Sequence, residues 1–173
     1  MLIKAGVLLT GLMLISIAAL PGHADVKNGR TTPKEPIDKS TLLQITGQIA
    51  GSTVNLDREA LYALPPTTLV TSTVVTDGQH TFTGFLMRDL LGQLVAEGDH
   101  VTAVALNDYA VDIPMADFYD FDVIVAYRMD GQTLSRDDKG PLWIVYPRDD
   151  HEALQDIRYD YRWVWQLYQL DVQ

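Results

Sequence analysis

Two polar stretches hold most of the side chains able to do chemistry. Asn107-Asp108-Tyr109 offers an amide, a carboxylate and a phenol between two apolar runs. Asn and Asp also favour turns, because their side chains bond nearby backbone groups. The stretch therefore reads either as a turn or as the polar rim of a pocket. The second stretch runs from Arg128-Met129-Asp130-Gly131 through Arg136-Asp137-Asp138-Lys139-Gly140-Pro141-Leu142-Trp143 to Arg148. It reads either as a solvated loop of mixed charge or as an anion-binding rim of Arg128, Arg136, Lys139 and Arg148. Arginine forks match phosphate and other oxyanions.

Other chemistries lack their residues. The sequence has no cysteine, which removes thiolate ligands, cysteine-held iron–sulfur clusters and thiol nucleophiles. Beyond His23, only His80, His100 and His151 remain, far apart, whereas zinc ligands recur at short spacings. Neither Ser72 nor Ser135 sits in a Gly-x-Ser-x-Gly elbow. There is no glycine-rich phosphate loop. Near the C-terminus Tyr159, Tyr161, Trp163, Trp165 and Tyr168 crowd together. Period-two spacing places Tyr161, Trp163 and Trp165 on one strand face, either packed in the core or forming an apolar platform for a partner.

These residues must be positioned by many short strands and few helices. Alternation predicts strands over Leu42–Gly47 and Thr53–Leu56, joined through Gly51-Ser52. Asp57 is the expected cap of a short helix reaching Leu64, ended by Pro65 and Pro66. Thr67–Val75 is rich in Thr and Val and reads as a strand, followed by an Asp77-Gly78 turn and a return over Gln79–Thr83. Leu86, Leu90, Leu91 and Leu94 fall at helical spacing within Phe85–Val95. Further strands are expected over Val101–Leu106, Tyr109–Ile113, Val123–Met129, Leu142–Tyr146 and Val164–Val172. Pro114 opens a brief helical turn between the second and third of these. Asp149–Arg158 reads as a loop or a brief helix. The sum is a mixed α+β domain over residues 42–173.

The N-terminus reads as an export signal. Lys4 precedes an apolar run from Ala5 to Leu20, and Gly22 and Ala24 suit cleavage after Ala24. A membrane anchor is the alternative, but the run is shorter than the roughly 20 residues a spanning helix needs. Residues 25–41 are polar, with Pro33 and Pro36, and read as a flexible lead-in. The expected location is the periplasm or the exterior, with no membrane insertion after cleavage. Thirteen Lys and Arg stand against 23 Asp and Glu, a net charge of −10. Such a chain is a poor partner for nucleic acid, whose phosphates need basic residues.

Read in order, several of these segments resemble the molybdopterin-binding domain of sulfite-oxidase-like oxidoreductases. Ala126–Pro147, AYRMDGQTLSRDDKGPLWIVYP, resembles the family's passage through an Asn-Gly or Asp-Gly turn to a Gly-Pro-Leu strand and a closing proline. Thr83-Gly84-Phe85 through Leu90-Leu91 resembles its glycine and apolar helix. Leu43–Gly47 resembles its opening strand, Val104–Pro114 its Gly-Tyr strand pair, and Trp165–Val172 its last strand. The likeness extends over roughly residues 42–172 and implies a mixed-sheet fold of that type.

In catalytic members of that family a cysteine thiolate before the glycine and its helix binds molybdenum. Here the matching region is Val70–Val74, with Ser72 or Thr73 nearest the ligand position. Where the family's enzymes often carry a histidine before the Gly-Pro glycine, this chain has Lys139. A basic residue after Gly-Pro-Leu is replaced by Trp143. Near the last strand, where a basic residue serves the cofactor's phosphate, Arg162 is followed by Trp163 and Trp165.

Three readings follow. One is a non-catalytic relative, a binding or accessory module for a small anionic ligand or for an envelope or sensor protein, with no cofactor. Its binding residues would be drawn from Ser72, Thr73, Asn107, Asp108, Tyr109, Arg128, Arg136, Lys139, Trp143 and Arg148. Another is a molybdopterin-dependent oxidoreductase with atypical ligation, acting on a small oxyanion or sulfoxide-like substrate. The last is an interaction protein with an exposed aromatic face near Tyr161 and Trp163.

Overall fold

The chain alternates short strands with single helical turns, in the order its turn residues predict. The computed structural model describes residues 39–173. The expected export segment, 1–24, and most of the lead-in expected over 25–41 lie outside the described residues. Strand β1 (Thr41–Gly47) and β2 (Thr53–Asp57) lead into helix α1 (Arg58–Ala63), β3 (Thr67–Ser72), β4 (Gln79–Leu86) and α2 (Met87–Gln93). Strands β5 (His100–Ala105) and β6 (Ala110–Pro114) lead to α3 (Met115–Asp120), β7 (Ile124–Met129), β8 (Gln132–Thr133) and β9 (Trp143–Val145). A 3-10 turn (Glu152–Gln155), α4 (Ile157–Asp160) and β10 (Leu167–Val172) complete it.

Two sheets result. One has the order β2-β1-β10-β5-β6, the other β3-β4-β7-β8 with β9 also on β7. Strands β1 and β10 run parallel, with Thr46 opposite Asp171, and the Thr46 hydroxyl donates to the Asp171 carboxylate at 2.7 Å. The neighbouring pairs β1–β2 and β10–β5 are antiparallel, so this sheet is mixed, as expected. Leu43, Ile45, Val101, Ala103, Leu167 and Leu170 from this sheet are buried, as are Phe82, Phe85, Ile124, Val125 and Ile144 from the other. Helix α2 adds Met87, Leu90 and Leu91.

Asp57 caps α1 as its type and position predict, its carboxylate accepting from Ala60 N at 2.9 Å. Gly84 is required for a different reason. A Cβ there would lie 2.1 Å from the Val125 carbonyl oxygen, so β4 and β7 can approach only over bare backbone. The pairing slips between Thr83 and Gly84, leaving Tyr127 and Arg128 together opposite Thr83 as a β-bulge.

Four expected elements end elsewhere. The strand expected to reach Val75 stops at Ser72, where the backbone turns and the Thr73 hydroxyl accepts from Val75 N. Phe85 and Leu86, expected in a helix, stay in β4 opposite Val125 and Ile124. The strand expected over Leu142–Tyr146 is confined to Trp143–Val145. The last strand begins at Leu167 instead of Val164, because Gln166 has φ +52, outside the strand region. Tyr161, Trp163 and Trp165 therefore do not share a strand face. Tyr161 ends α4 and is exposed, Trp163 is buried, and Trp165 bridges to Trp143.

Candidate functional site

The ten residues singled out in the sequence fall into three groups. The first gathers around Ser72, at the end of edge strand β3. Its hydroxyl donates to Asp149 Oδ1 at 2.6 Å and its backbone N–H donates to Asp149 Oδ2 at 2.7 Å. Gln79 Nε2, opposite Ser72 in the β3–β4 register, donates to the same Oδ2 at 2.8 Å. Asp149 returns its own N–H to the buried Thr71 hydroxyl at 3.2 Å. The Arg148 guanidinium lies 3.5 Å from the Ser72 hydroxyl oxygen, and its Nε is buried without a partner. Thr73 is nearby in sequence but turns inward, its hydroxyl 2.7 Å from that of Thr76.

Electrostatics fix the protonation of this cluster. The Ser72 hydroxyl and then Gln79 hold the Asp149 carboxyl below the usual carboxylate range against the opposing effect of burial, with lesser help from the Ser72 N–H and the Arg148 charge. Asp149 is therefore an ionised acceptor at neutral pH, and the Ser72 proton is committed to it. Thr71, Gln79 and Asp149 were not singled out by sequence. Asp149 lies 77 residues from Ser72, and only the β3–β4 hairpin signal would have placed Gln79 opposite Ser72.

The second group is assembled by Gln166. Its carbonyl accepts from Leu106 N at 2.9 Å, and its N–H donates to the Lys139 carbonyl at 2.9 Å. Its side-chain amide donates to the Arg136 carbonyl at 2.8 Å. The Asn107–Tyr109 turn and the Arg136–Lys139 loop thus flank one residue. Asn107 Oδ1 accepts from Tyr109 N at 3.1 Å, and Asp108 has φ +66, the geometry of an Asx turn. The Tyr109 hydroxyl donates to the Tyr161 carbonyl at 2.6 Å, and burial, then Tyr161, raises its pKa. Lys139 pairs with Asp138 at 2.9 Å, and its Nζ lies 5.9 Å from the Trp143 ring centroid. Trp143 is fully buried, edge-on to Phe82. It belongs to the core, and Lys139 is the group it supports.

Arg128 stands in the third group. Its guanidinium lies over the rings of Tyr62 and Tyr127 at 5.6 and 5.7 Å. Among the described residues no hydrogen bond or ion pair joins it to Arg136, Lys139 or Arg148. The open groove beside α1, about 680 Å³, is lined by Ser40, Asp57, Arg58, Glu59, Tyr62 and Ala63, and none of the ten residues lines it.

Arg162 is also committed elsewhere. It donates to Asp117, which is nearly buried and also accepts from the Tyr146 hydroxyl at 2.9 Å. Its guanidinium lies 4.6 Å from the Tyr159 ring centroid. Burial lowers the Arg162 pKa, but bonds to Tyr161 and Asp117 outweigh it and leave the guanidinium firmly charged. The histidines are separate, with His80 against Asp130, His100 against Gln173 and His151 against the Phe121 ring.

With this geometry in view, the comparisons place the chain. The model of the oxidoreductase molybdopterin binding domain matches residues 42–149, and the chain belongs to that family. Among solved structures it is similar to the sulfane dehydrogenase SoxCD from Paracoccus pantotrophus, at 18% identity and a TM-score of 0.58. The match covers 75% of this chain and only 37% of that one, and shows a shared fold. No curated protein matches.

The family's metal group can be tested against these residues. No thiolate is available in the sequence, and no oxygen side chain reproduces its soft ligation. Of the two residues expected nearest the ligand position, Ser72 donates its hydroxyl hydrogen bond to an ionised carboxylate and Thr73 is turned to the Thr76 hydroxyl. Among the described residues no group of three or more His, Cys, Asp or Glu could hold a metal ion. Arg162, near the last strand, is bound to Asp117. The donor set does not fit the family's molybdenum centre. No helix among the described residues is long and apolar enough to cross a membrane.

Proposed function

We propose that this chain is an exported, non-catalytic binding or accessory module on the scaffold of a molybdopterin oxidoreductase. The observation that carries the reading is the pair of hydrogen bonds that Ser72 donates to Asp149. A position close to the one where relatives present a soft anionic ligand holds a hydroxyl bonded to a hard, ionised carboxylate. A fixed negative charge there opposes an anionic cofactor, because like charges in one partly buried site repel. Arg148 supplies the nearest cation, and its Nε is buried without a hydrogen-bond partner. Export rests on the Lys4 charge, the Ala5–Leu20 apolar run and the small residues before Asp25.

Dye-linked turnover of the full chain, made in a cofactor-producing host, tests this reading with sulfite, nitrate and small sulfoxides as substrates. The expected result is no rate above that of heat-denatured protein. A rate that disappears in Ser72→Ala would overturn the reading and make Ser72 a ligand.

A further inference from the structure

Arg128 was expected in an anion-binding rim with Arg136, Lys139 and Arg148, but the fold gives it a different partner. Arg58, at the start of α1, lies 5.7 Å from the same Tyr62 ring that Arg128 approaches at 5.6 Å. The Arg58 guanidinium also donates to the Tyr62 hydroxyl at 3.2 Å, and Tyr62 is stacked 4.4 Å from Tyr127. The β-bulge sets Tyr127 and Arg128 together opposite Thr83, which brings the guanidinium onto this tyrosine pair.

Two like charges sharing one ring would normally be offset by carboxylates. Arg88, Lys139, Arg158 and Arg162 each have one, and among the described residues Lys39, Arg136 and Arg148 have none. Among the described residues neither Arg58 nor Arg128 forms an ion pair, although the whole chain carries ten more acidic than basic charges. Both are exposed. Asp57 and Glu59 also line the groove on the α1 side, Asp57 capping the helix through Ala60 N, and among the described residues neither forms an ion pair with Arg58 or Arg128. On the sheet side, Thr68, Thr83, Arg128 and Thr133 are opposite one another across β3, β4, β7 and β8. Residues directly opposite in antiparallel strands project from one face, so three threonines stand in the same cross-strand row as Arg128.

We infer that Arg58 and Arg128, held on Tyr62, form a binding site for a phosphate monoester dianion. Two guanidinium forks match the charge and the oxygens of a dianion better than those of a monocarboxylate. The threonine hydroxyls of the same row supply neutral donors, and Tyr62 offers a ring edge to an organic substituent. The site lies four residues along β4 from the Ser72–Gln79 row, roughly 13 Å. It goes beyond the reading of the Ser72 cluster and does not depend on it.

Calorimetric titration of the full chain at low ionic strength tests the site, with phenyl phosphate, inorganic phosphate and acetate as probes. Saturable binding of both phosphates is expected, tighter for phenyl phosphate, with none for acetate. Arg58→Ala and Arg128→Ala should each weaken it about tenfold, from the loss of charge-assisted hydrogen bonds. Arg158→Ala, whose guanidinium is paired with Asp156, should leave it unchanged, and Arg148→Ala is titrated beside it to report on the Ser72 cluster. Arg58 and Arg128 are both exposed, and unchanged circular dichroism of the variants confirms that the fold is intact. Absence of saturable phosphate binding, or binding equally strong in both variants, overturns the inference. Binding lost only in Arg148→Ala would move the anion to the Ser72 cluster and overturn it as well.

Discussion

Ser72 presents both its hydroxyl and its backbone N–H to the carboxylate of Asp149, at 2.6 and 2.7 Å, across 77 residues of chain. The contact ties the end of edge strand β3 to the segment that follows β9.

That contact carries a pH signature. Bonds from Ser72 and Gln79 depress the folded pKa of Asp149, so the stability they add is present above the unfolded value of about 3.9. It is lost as the pH falls through the folded value. Asp149→Asn should cost about 1–2 kcal/mol at pH 7, given that the group is largely solvated and its hydrogen bonds are individually modest. Urea unfolding at pH 7 and pH 3 checks this. The gap between wild type and variant should narrow at pH 3.

The buried pair Asp117–Arg162 should behave differently. Removing Arg162 leaves Asp117 nearly buried with only the Tyr146 hydroxyl as partner. Arg162→Ala should therefore cost about 3–5 kcal/mol. The double variant Asp117→Asn with Arg162→Met should lose less than Arg162→Ala alone, because no uncompensated charge remains. Denaturant midpoints of the three proteins decide it.

Gly84→Ala tests the close approach of β4 and β7. The added carbon would meet the Val125 carbonyl at 2.1 Å, and backbone cannot move aside as a flexible side chain would. The expected result is a loss of several kcal/mol or insoluble protein. Gly92→Ala is the control, since a Cβ there meets nothing within 4 Å. Its melting temperature should hold or rise, because alanine is the better helix former.

What the sequence disclosed followed from local physics. Asp57 as a cap, Asp130-Gly131 as a turn and the spacing of Leu90 and Leu91 are local signals, and each appears where expected. Trp143 stood where a basic residue was looked for, and it proved to be core. Burial of a tryptophan depends on Phe82 from another strand, which no window of sequence contains. Gln166 gave no sign of its left-handed backbone, because glutamine has no preference for φ +52. The sequence brought Arg128 forward as a cation but not its companion Arg58. The i,i+4 spacing of Arg58 and Tyr62 was the available signal, and the β-bulge that delivers Arg128 to the same ring was not readable. Asp149 was invisible for the same reason as every long-range partner.

Whether the chain holds the family's cofactor is the decisive question. Molybdenum and pterin content should be measured on the full chain, purified anaerobically from a host that makes the cofactor. Neither is expected above trace level, in wild type and in Asp149→Ala alike, since removing the carboxylate supplies no soft ligand. Molybdenum and pterin near one per chain in the wild type would contradict that expectation.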